Sequence, residues 1–384
     1  MVPMRAALLT LFACLATLSA SSTPAAFSAS VSVVALPGDG IQPQAAIDDA
    51  GVIHVVYFTG KPAAGDLYYV KLKRNGDQAS GPVRVNSIPG SALATGSVRG
   101  AQMSLGRNGR IHVAWHGSQP ARGIDQLTTP IWYTRSADGL KFDPQRAVSG
   151  TSEGIDGGTV AADRLGHVAV AWHALGKTPG EDHRTVYLTQ STDGGATFTA
   201  PAPATSAPVG ACGCCGLRAM FDRSGLLHVV YRAATGGNHR DTTWLMVDGK
   251  TSRPPVRVHP WELQSCPMST FALAETPDGL VAAWETAQQI YSTTLDPTTG
   301  KVGEIAALPG KGTRKHPSIA INRAGDRLLA WTEGTGWNRG GTVAWRLTDP
   351  QGKELAADPH AGPVPVWGLV SAIPLSDGSF VIIR

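Results

Sequence analysis

Residues 44–58 read QAAIDDAGVIHVVYF, and this run of strand, glycine turn and strand decides the fold. Alternating apolar side chains before the turn and a longer apolar run after it, ending in aromatics, predict two paired β-strands. Six further copies follow at intervals of about fifty residues, which is typical of the blades of a β-propeller. They occupy residues 101–116, 159–173, 217–232, 270–285, 318–333 and 369–384, and the turn glycines of the seven copies are Gly51, Gly109, Gly166, Gly225, Gly279, Gly325 and Gly378.

The stretches between these hairpins predict a second, outer pair of strands in each repeat, as in residues 66–73 and 185–191. We label the four strands of a blade A, B, C and D from the axis to the rim. The chain ends on the B strand of its seventh copy, while residues 30–36 predict a strand without a neighbour. We therefore expect an all-β propeller of four-stranded blades, with seven blades and a ring closed by this N-terminal strand. Six blades, with the last hairpin replacing part of the sixth, is the alternative.

The composition agrees with many short strands joined by tight turns. The 384 residues include 45 glycines and 27 prolines, and hydrophobic residues make up 42% of the chain, which excludes general disorder. The formal net charge of +4 comes from 33 basic and 29 acidic residues, without a run of Lys or Arg. We therefore expect no nucleic acid partner.

The first 20 residues predict export. A positively charged start over 1–5, an apolar run over 6–18 and small residues after it form the pattern of a secretory signal peptide. We expect a signal peptide over 1–20, a linker over 21–29 and one propeller domain over 30–384. The sequence LFAC, which ends at Cys14, is also similar to a bacterial lipobox, so a periplasmic or extracellular protein and a lipid-anchored one both stay open. We expect a monomer that meets a membrane only through such an anchor.

Two turns of the outer hairpins carry a family signature. Residues 191–198 read STDGGATF, and residues 136–142 read SADGLKF. The first resembles the Asp box, S-x-D-x-G-x-T-W/F, of the sialidase-like (BNR-repeat) propellers, and the second resembles a shortened copy. The Asp carboxylate of such a turn can accept backbone N–H groups, and Gly supplies a positive φ. The resemblance implies a sialidase-like propeller whose Asp boxes lie on the outer rim in a structural role.

The D–A and B–C loops of a propeller share one face, so the starts of A strands and the ends of B strands converge around the channel mouth. The resemblance implies hydrolysis of a sialoside as one use of this face, with arginines that grip a carboxylate and acidic residues that assist the chemistry. The chain departs from the family pattern, because IQPQ at 41–44 has no arginine where the family has F/Y-R-I-P. The residues that hydrolysis would use are Arg99, Arg232, Arg314, Glu285 and Asp156.

The segment GACGCCG at 210–216 indicates a second use of the same face. It places Cys212, Cys214 and Cys215 within four residues, and Cys266 has nearly the same register in the next blade. Soft thiolates together with histidines suit Cu(I) or Zn(II), so copper or zinc is the only cofactor that we expect. Disulfides are the alternative in an exported protein, either between Cys212 and Cys215 or over a longer range, because adjacent cysteines bond only with distortion. The histidines expected beside these thiols are His116, His173 and His316.

Other repeated residues have simpler interpretations. His54, His112 and His228 each follow a turn glycine by three residues, and this repetition predicts a structural role. The tryptophans near B-strand ends predict packing between blades, whereas Trp337, in the B–C loop at 334–341, is a candidate ligand contact. We conclude that the chain is an exported binding or assembly module without catalysis, which holds a metal, small molecule, glycan or protein on its Cys/His face. An exo-sialidase-like glycoside hydrolase is the alternative.

Overall fold

The computed structural model describes residues 1, 30–96, 100–118, 129–150, 155–176, 178–205 and 209–384. These residues form an all-β ring of seven sheets, which confirms the seven-bladed propeller. The candidate Arg99 lies outside the described residues, as do residues 2–29, which hold Cys14 and nearly all of the predicted signal peptide and linker. Within the described ranges, no helix has the length and apolar character needed to cross a membrane.

Six sheets have the predicted order of A to D strands, and the fourth and sixth blades add a further outer strand beside C. Blades 1 to 3 contain β2 (Ile41–Ile47), β3 (Ile53–Lys61), β4 (Ala64–Leu72), β5 (Val83–Arg84), β6 (Gln102–Leu105), β7 (Ile111–His116), β8 (Ile131–Ser136), β9 (Arg146–Ala147), β10 (Asp156–Ala162), β11 (Val168–Ala174), β12 (Thr185–Ser191) and β13 (Ala202–Pro203). Blades 4 to 6 contain β14 (Arg218–Phe221), β15 (Leu227–Arg232), β16 (Thr242–Asp248), β17 (Thr251–Ser252), β18 (Val256–His259), β19 (Phe271–Thr276), β20 (Gly279–Thr286), β21 (Gln289–Leu295), β22 (Ala306–Ala307), β23 (Arg314–Ile321), β24 (Arg327–Glu333), β25 (Gly341–Thr348), β26 (Glu354–Asp358) and β27 (Pro363–Val364).

The seventh blade joins the two ends of the described domain. Its A strand is β28 (Ser371–Pro374), its B strand is β29 (Phe380–Ile383), and β1 (Val31–Val34) pairs with β29 in parallel. This blade has three strands, and its outermost strand comes from the other end of the domain, as the unpartnered N-terminal strand predicted. Closing the ring in this way removes the exposed sheet edge of an open fold.

The hydrophobic core consists of layers between neighbouring blades. Seven apolar clusters each combine residues from two adjacent blades, so every interface of the ring has its own layer. Trp115, Trp172 and Trp284 are fully buried in three of these layers. The repeated tryptophans therefore pack between blades, as predicted.

The repeated histidines of the B strands bond to aromatic residues of the C strands. The Tyr133 hydroxyl lies 2.7 Å from His112 Nδ1, and Tyr69 lies at the same distance from His54 Nδ1. In the fourth blade, Trp244 Nε1 donates to the Nδ1 of His228 at 3.1 Å. These bonds satisfy buried polar groups inside the blades, which confirms the structural role.

The Asp box at residues 191–198 stabilises its own turn and contacts the preceding blade. The Asp193 carboxylate accepts the backbone N–H groups of Ala196 and Thr197 at 2.9 Å and the Thr197 hydroxyl at 2.6 Å. These bonds, with those from Thr197 the strongest, hold the pKa of Asp193 well below its usual range. The box aromatic Phe198 packs edge-on against Tyr133 of the preceding blade, with ring centroids 4.9 Å apart. The predicted turn chemistry is therefore confirmed and extends across the blade interface.

His112 makes the stability of the fold depend on pH. Burial lowers the pKa of His112 to about 3, whereas the unfolded side chain titrates near 6.5. As the pH falls below 6.5, the unfolded chain takes up a proton on His112, whereas the folded chain takes it up only near pH 3. The free energy of unfolding therefore decreases between these two pH values. We expect the free energy of unfolding in urea to fall more steeply from about pH 7 to about pH 4.5 for the wild type than for His112→Gln. Equal slopes would contradict this assignment.

Candidate metal centre

The cysteine-rich loop lies between the third and fourth blades, where the last strand of one leads into the first strand of the next. The N–H of Cys212 donates to the carbonyl of Arg232, at the end of β15, at 2.9 Å. The N–H of Cys215 donates back to the Cys212 carbonyl at 3.2 Å, and Gly216 donates to the Ser269 carbonyl at 3.0 Å. The loop is thus a tight turn pinned to the B-strand end of its own blade and to the A-strand start of the next.

This turn brings three thiols together. The Sγ atoms of Cys212, Cys214 and Cys215 all lie within 4.8 Å of one another, and those of Cys212 and Cys214 are 3.2 Å apart. Cys212 and Cys215 are fully buried, whereas Cys214 is partly exposed. The four cysteines that the structure describes, these three and Cys266, are free thiols. We call these three sulfur atoms the thiol cluster.

Arg232 supplies the positive charge beside the thiol cluster. Its side chain is fully buried, with the guanidinium over the Trp261 ring at 4.9 Å from the centroid. Every arm of the guanidinium donates to an internal acceptor: the Ser269 hydroxyl at 3.1 and 3.2 Å, the Arg240 carbonyl at 2.9 Å, and the Glu285 carbonyl. A cation buried this deeply favours an anion nearby.

The cluster as a whole favours one thiolate, on Cys215. Burial alone would raise the pKa of Cys215, but bonds from the Cys212 and Cys214 thiols, the charge of Arg232 and the Ser269 hydroxyl hold it well below its usual range. The Cys214 bond lowers the pKa of Cys212, but the Cys215 thiolate and burial outweigh it, so that pKa is raised. The pKa of Cys214 is raised chiefly by its bonds to Cys212 and then Cys215. Thiolate is the form that binds metals and reacts as a nucleophile.

The three candidate histidines lie outside the thiol cluster, since the group found in the described part of the chain consists of the three cysteines. His173 is fully buried, neither ring nitrogen has a hydrogen-bond partner in the described part of the chain, and burial lowers its pKa to about 4. His116 contacts the Thr129 hydroxyl and lies 3.6 Å from the Asp156 carboxylate. His316 lines a different cavity, together with Cys266. Of the seven predicted metal ligands, the structure brings three together.

The two described arginines expected for hydrolysis are bonded to groups of the protein itself. Arg232 is already saturated, and Arg314 donates to Gln289 Oε1 at 2.9 Å and the Pro309 carbonyl at 2.8 Å. Glu285 is 2% exposed, its Oε1 accepts the Gln288 N–H at 2.7 Å, and its Oε2 has no partner among the described residues. Burial raises the pKa of Glu285 against the lowering effects of Lys315, Gln288 and Arg232.

Ser269 was not predicted as a site residue, although it contacts both Cys215 and Arg232. Its hydroxyl lies 3.4 Å from Cys215 Sγ and accepts from Arg232, and it comes from the adjoining blade. A single serine carries no signal in the sequence. Its position three residues after Cys266, at the start of an A strand, was the only available indication.

Comparison with known proteins agrees with the fold. No family model matches the sequence, and no curated protein matches it. Among solved structures, the chain is similar to the Hadza microbial sialidase Hz136, with TM-score 0.51 and 15% identity over 84% of this chain and 74% of that one. It is also similar to the NanB sialidase from Streptococcus pneumoniae, with TM-score 0.51 and 8% identity over 78% of this chain and 66% of that one. The chain therefore has a sialidase-like propeller fold, as the Asp boxes predicted.

Proposed function

We propose that this protein is an exported, non-catalytic propeller that binds a soft metal ion, Cu(I) or Zn(II), through Cys212, Cys214 and Cys215. The observation that carries the proposal is the thiol cluster, with three sulfur ligands within 4.8 Å of one another. Thiolates select Cu(I) and Zn(II) over hard cations such as Mg²⁺ and Ca²⁺. Core packing alone offers no reason for three thiols in one tight turn.

The surroundings of the cluster fit a bound cation. Binding would displace the protons of Cys212 and Cys214, while Cys215 already favours the thiolate form. Arg232 offsets part of the negative charge of three thiolates, and the Ser269 hydroxyl holds one of them. Cys214 is the ligand nearest to solvent, so a metal would enter from its side. For Zn(II), a fourth ligand would complete the usual tetrahedron.

Export is part of the proposal and is supported by the signal-like sequence of residues 1–20. Exported proteins meet an oxidising environment in which neighbouring thiols form disulfides. A bound metal would keep the three thiols of this cluster reduced there. The polar, cysteine-rich face would then serve as a metal store or carrier in the cell envelope.

Anaerobic metal titration of the purified protein tests this function. We expect the wild type to take up one equivalent of Cu(I) or Zn(II) at the thiol cluster, seen as thiolate-to-metal absorption or by competition with a coloured chelator. A variant with Cys212, Cys214 and Cys215 all changed to Ser should lose that equivalent while keeping the circular dichroism of the metal-free wild type. Equal metal uptake by the two proteins, or a native protein with these thiols oxidised and no metal, would overturn the proposal.

Glycoside hydrolysis is the second candidate, and Glu285 is the observation in its favour. A buried carboxyl with a raised pKa, and with one oxygen that has no partner in the described part of the chain, is suited to act as a general acid. The sialidase-like fold supplies the context, although a fold does not determine an activity. Turnover of a fluorogenic sialoside by the wild type, lost in Glu285→Gln, would establish this candidate in place of the non-catalytic one.

A further inference from the structure

A cavity on the channel-mouth face, separate from the thiol cluster, is lined by sulfur and imidazole side chains. Its volume is about 200 Å³, and it lies between the A-strand starts of blades 5 and 6, the B–C loop of blade 6 and the loop into blade 7. The residues that could face a ligand there are Cys266, Met268, Lys315, His316, Trp337 and Trp367.

Two tryptophans and the methionine form one wall of this cavity. Trp337 and Trp367 pack edge to face, with ring centroids 5.9 Å apart and planes at 71°. A methyl group built on Gly96 would meet Met268 Cε at 2.7 Å and Trp337 Cζ3 at 3.2 Å, so both side chains lie over the same glycine. Trp337 is nevertheless 51% exposed, which is unusual for so large an apolar side chain.

His316 lines this cavity and also the pocket between the first strands of the blades. The residue is 5% exposed, and its Nδ1 lies 3.3 Å from the Thr270 hydroxyl. Its Nε2 has no hydrogen-bond partner among the described residues. A hydrogen bond to one ring nitrogen that fixes the other for a ligand is the usual arrangement of metal-binding histidines. The backbone is also held in an unusual conformation, because Met268, His316 and Trp367 have φ of 51°, 54° and 58°.

We propose that this cavity is a second, independent site for a soft monovalent cation, Cu(I), with Cys266 Sγ, Met268 Sδ and His316 Nε2 as its ligands. Thiolate and thioether sulfur select Cu(I), and imidazole suits it as well. The exposed Trp337 ring would face the cation and add a cation–π attraction. The Lys315 ammonium is held at the edge of the cavity, where it donates to the Pro267 carbonyl at 2.9 Å. This site does not depend on the function proposed for the thiol cluster.

The test is a titration of the full chain with Ag(I), a redox-inert soft cation, followed by tryptophan fluorescence and by bound metal per chain. We expect two equivalents on the wild type, one of which quenches fluorescence. The double variant Cys266→Ser/Met268→Leu should bind one equivalent without that quenching, whereas the thiol-cluster triple variant should bind one with the quenching intact. Trp337→Phe should reduce the quenching without changing the stoichiometry.

We expect the double variant to fold, because Cys266 is exposed and Met→Leu nearly conserves side-chain volume. Met103→Leu, which changes a buried methionine between blades 1 and 2, is the matched control and should bind and quench as the wild type does. Wild-type stoichiometry and quenching in the double variant would overturn the second site. If instead only the double variant loses an equivalent and the triple variant loses none, the second site stands and the thiol-cluster function fails.

Discussion

Replacing Gly195 with alanine is expected to lower the free energy of unfolding by about 3 kcal/mol, through strain of about 1–2 kcal/mol and overpacking of about 1–3 kcal/mol. Gly195 has φ of 74°, a conformation that an L side chain rarely adopts. A methyl group there would overlap the hydroxyl of Tyr133, which lies in the preceding blade and bonds to His112. The change would therefore damage an Asp box, a blade interface and a buried hydrogen bond together. Urea unfolding of both proteins at neutral pH measures the difference.

Gly194→Ala separates the two contributions, because it is strained but not crowded. Gly194 has φ of 68°, and a methyl group built on it would have Arg110 Nε, at 3.9 Å, as its nearest neighbour. We expect this neighbouring substitution to cost about 1–2 kcal/mol, the cost of the conformation alone. Equal losses for the two variants would show that crowding of the added methyl group against Tyr133 has no cost in stability.

Much of this fold could be predicted from the sequence because its signals are local. A turn glycine, the alternation around it and an Asp box are each contained in fewer than twenty residues, and a propeller repeats such units around a ring. Closure by residues 30–36 could also be predicted, since the last repeat lacked an outer strand. The extra strand β18 was not predicted, because the four-residue segment VRVH lies between the outer hairpin of one blade and the next blade, where the repeat pattern has no strand.

The candidate site was predictable only where its residues are neighbours in sequence. Cys212, Cys214 and Cys215 must lie close together in any tight turn, and the structure places them so. Cys266 has a matching register but lies on an exposed segment just before Met268, whose positive φ redirects the chain. Register predicts the end of a blade at which a residue lies. Side-chain direction depends on bulges in the loops, which the repeat pattern does not encode.

Changing Arg232 to methionine is the second substitution with a large expected effect, a loss of about 3–5 kcal/mol, because it removes one partner of a buried charge pair. The side chain is fully buried and satisfies the carbonyls of Arg240 and Glu285 and the Ser269 hydroxyl, which methionine would leave unpaired. The same change removes the cation beside Cys215, so we expect the pKa of that thiol to rise. Unfolding in urea and thiolate absorbance as a function of pH measure the two effects.

Two readouts are needed because a buried arginine could be purely structural. Arg164→Met is the matched control, since Arg164 pairs with Asp49 in an exposed position and its loss should leave both stability and thiolate absorbance nearly unchanged. A large loss of stability in Arg232→Met with an unchanged thiol titration would mean that Arg232 holds the loops together without stabilising the thiolate. A shifted titration together with weaker metal binding would show that the charge on Arg232 keeps the cluster ready for a cation, because three adjacent thiols cannot otherwise all lose their protons near neutral pH.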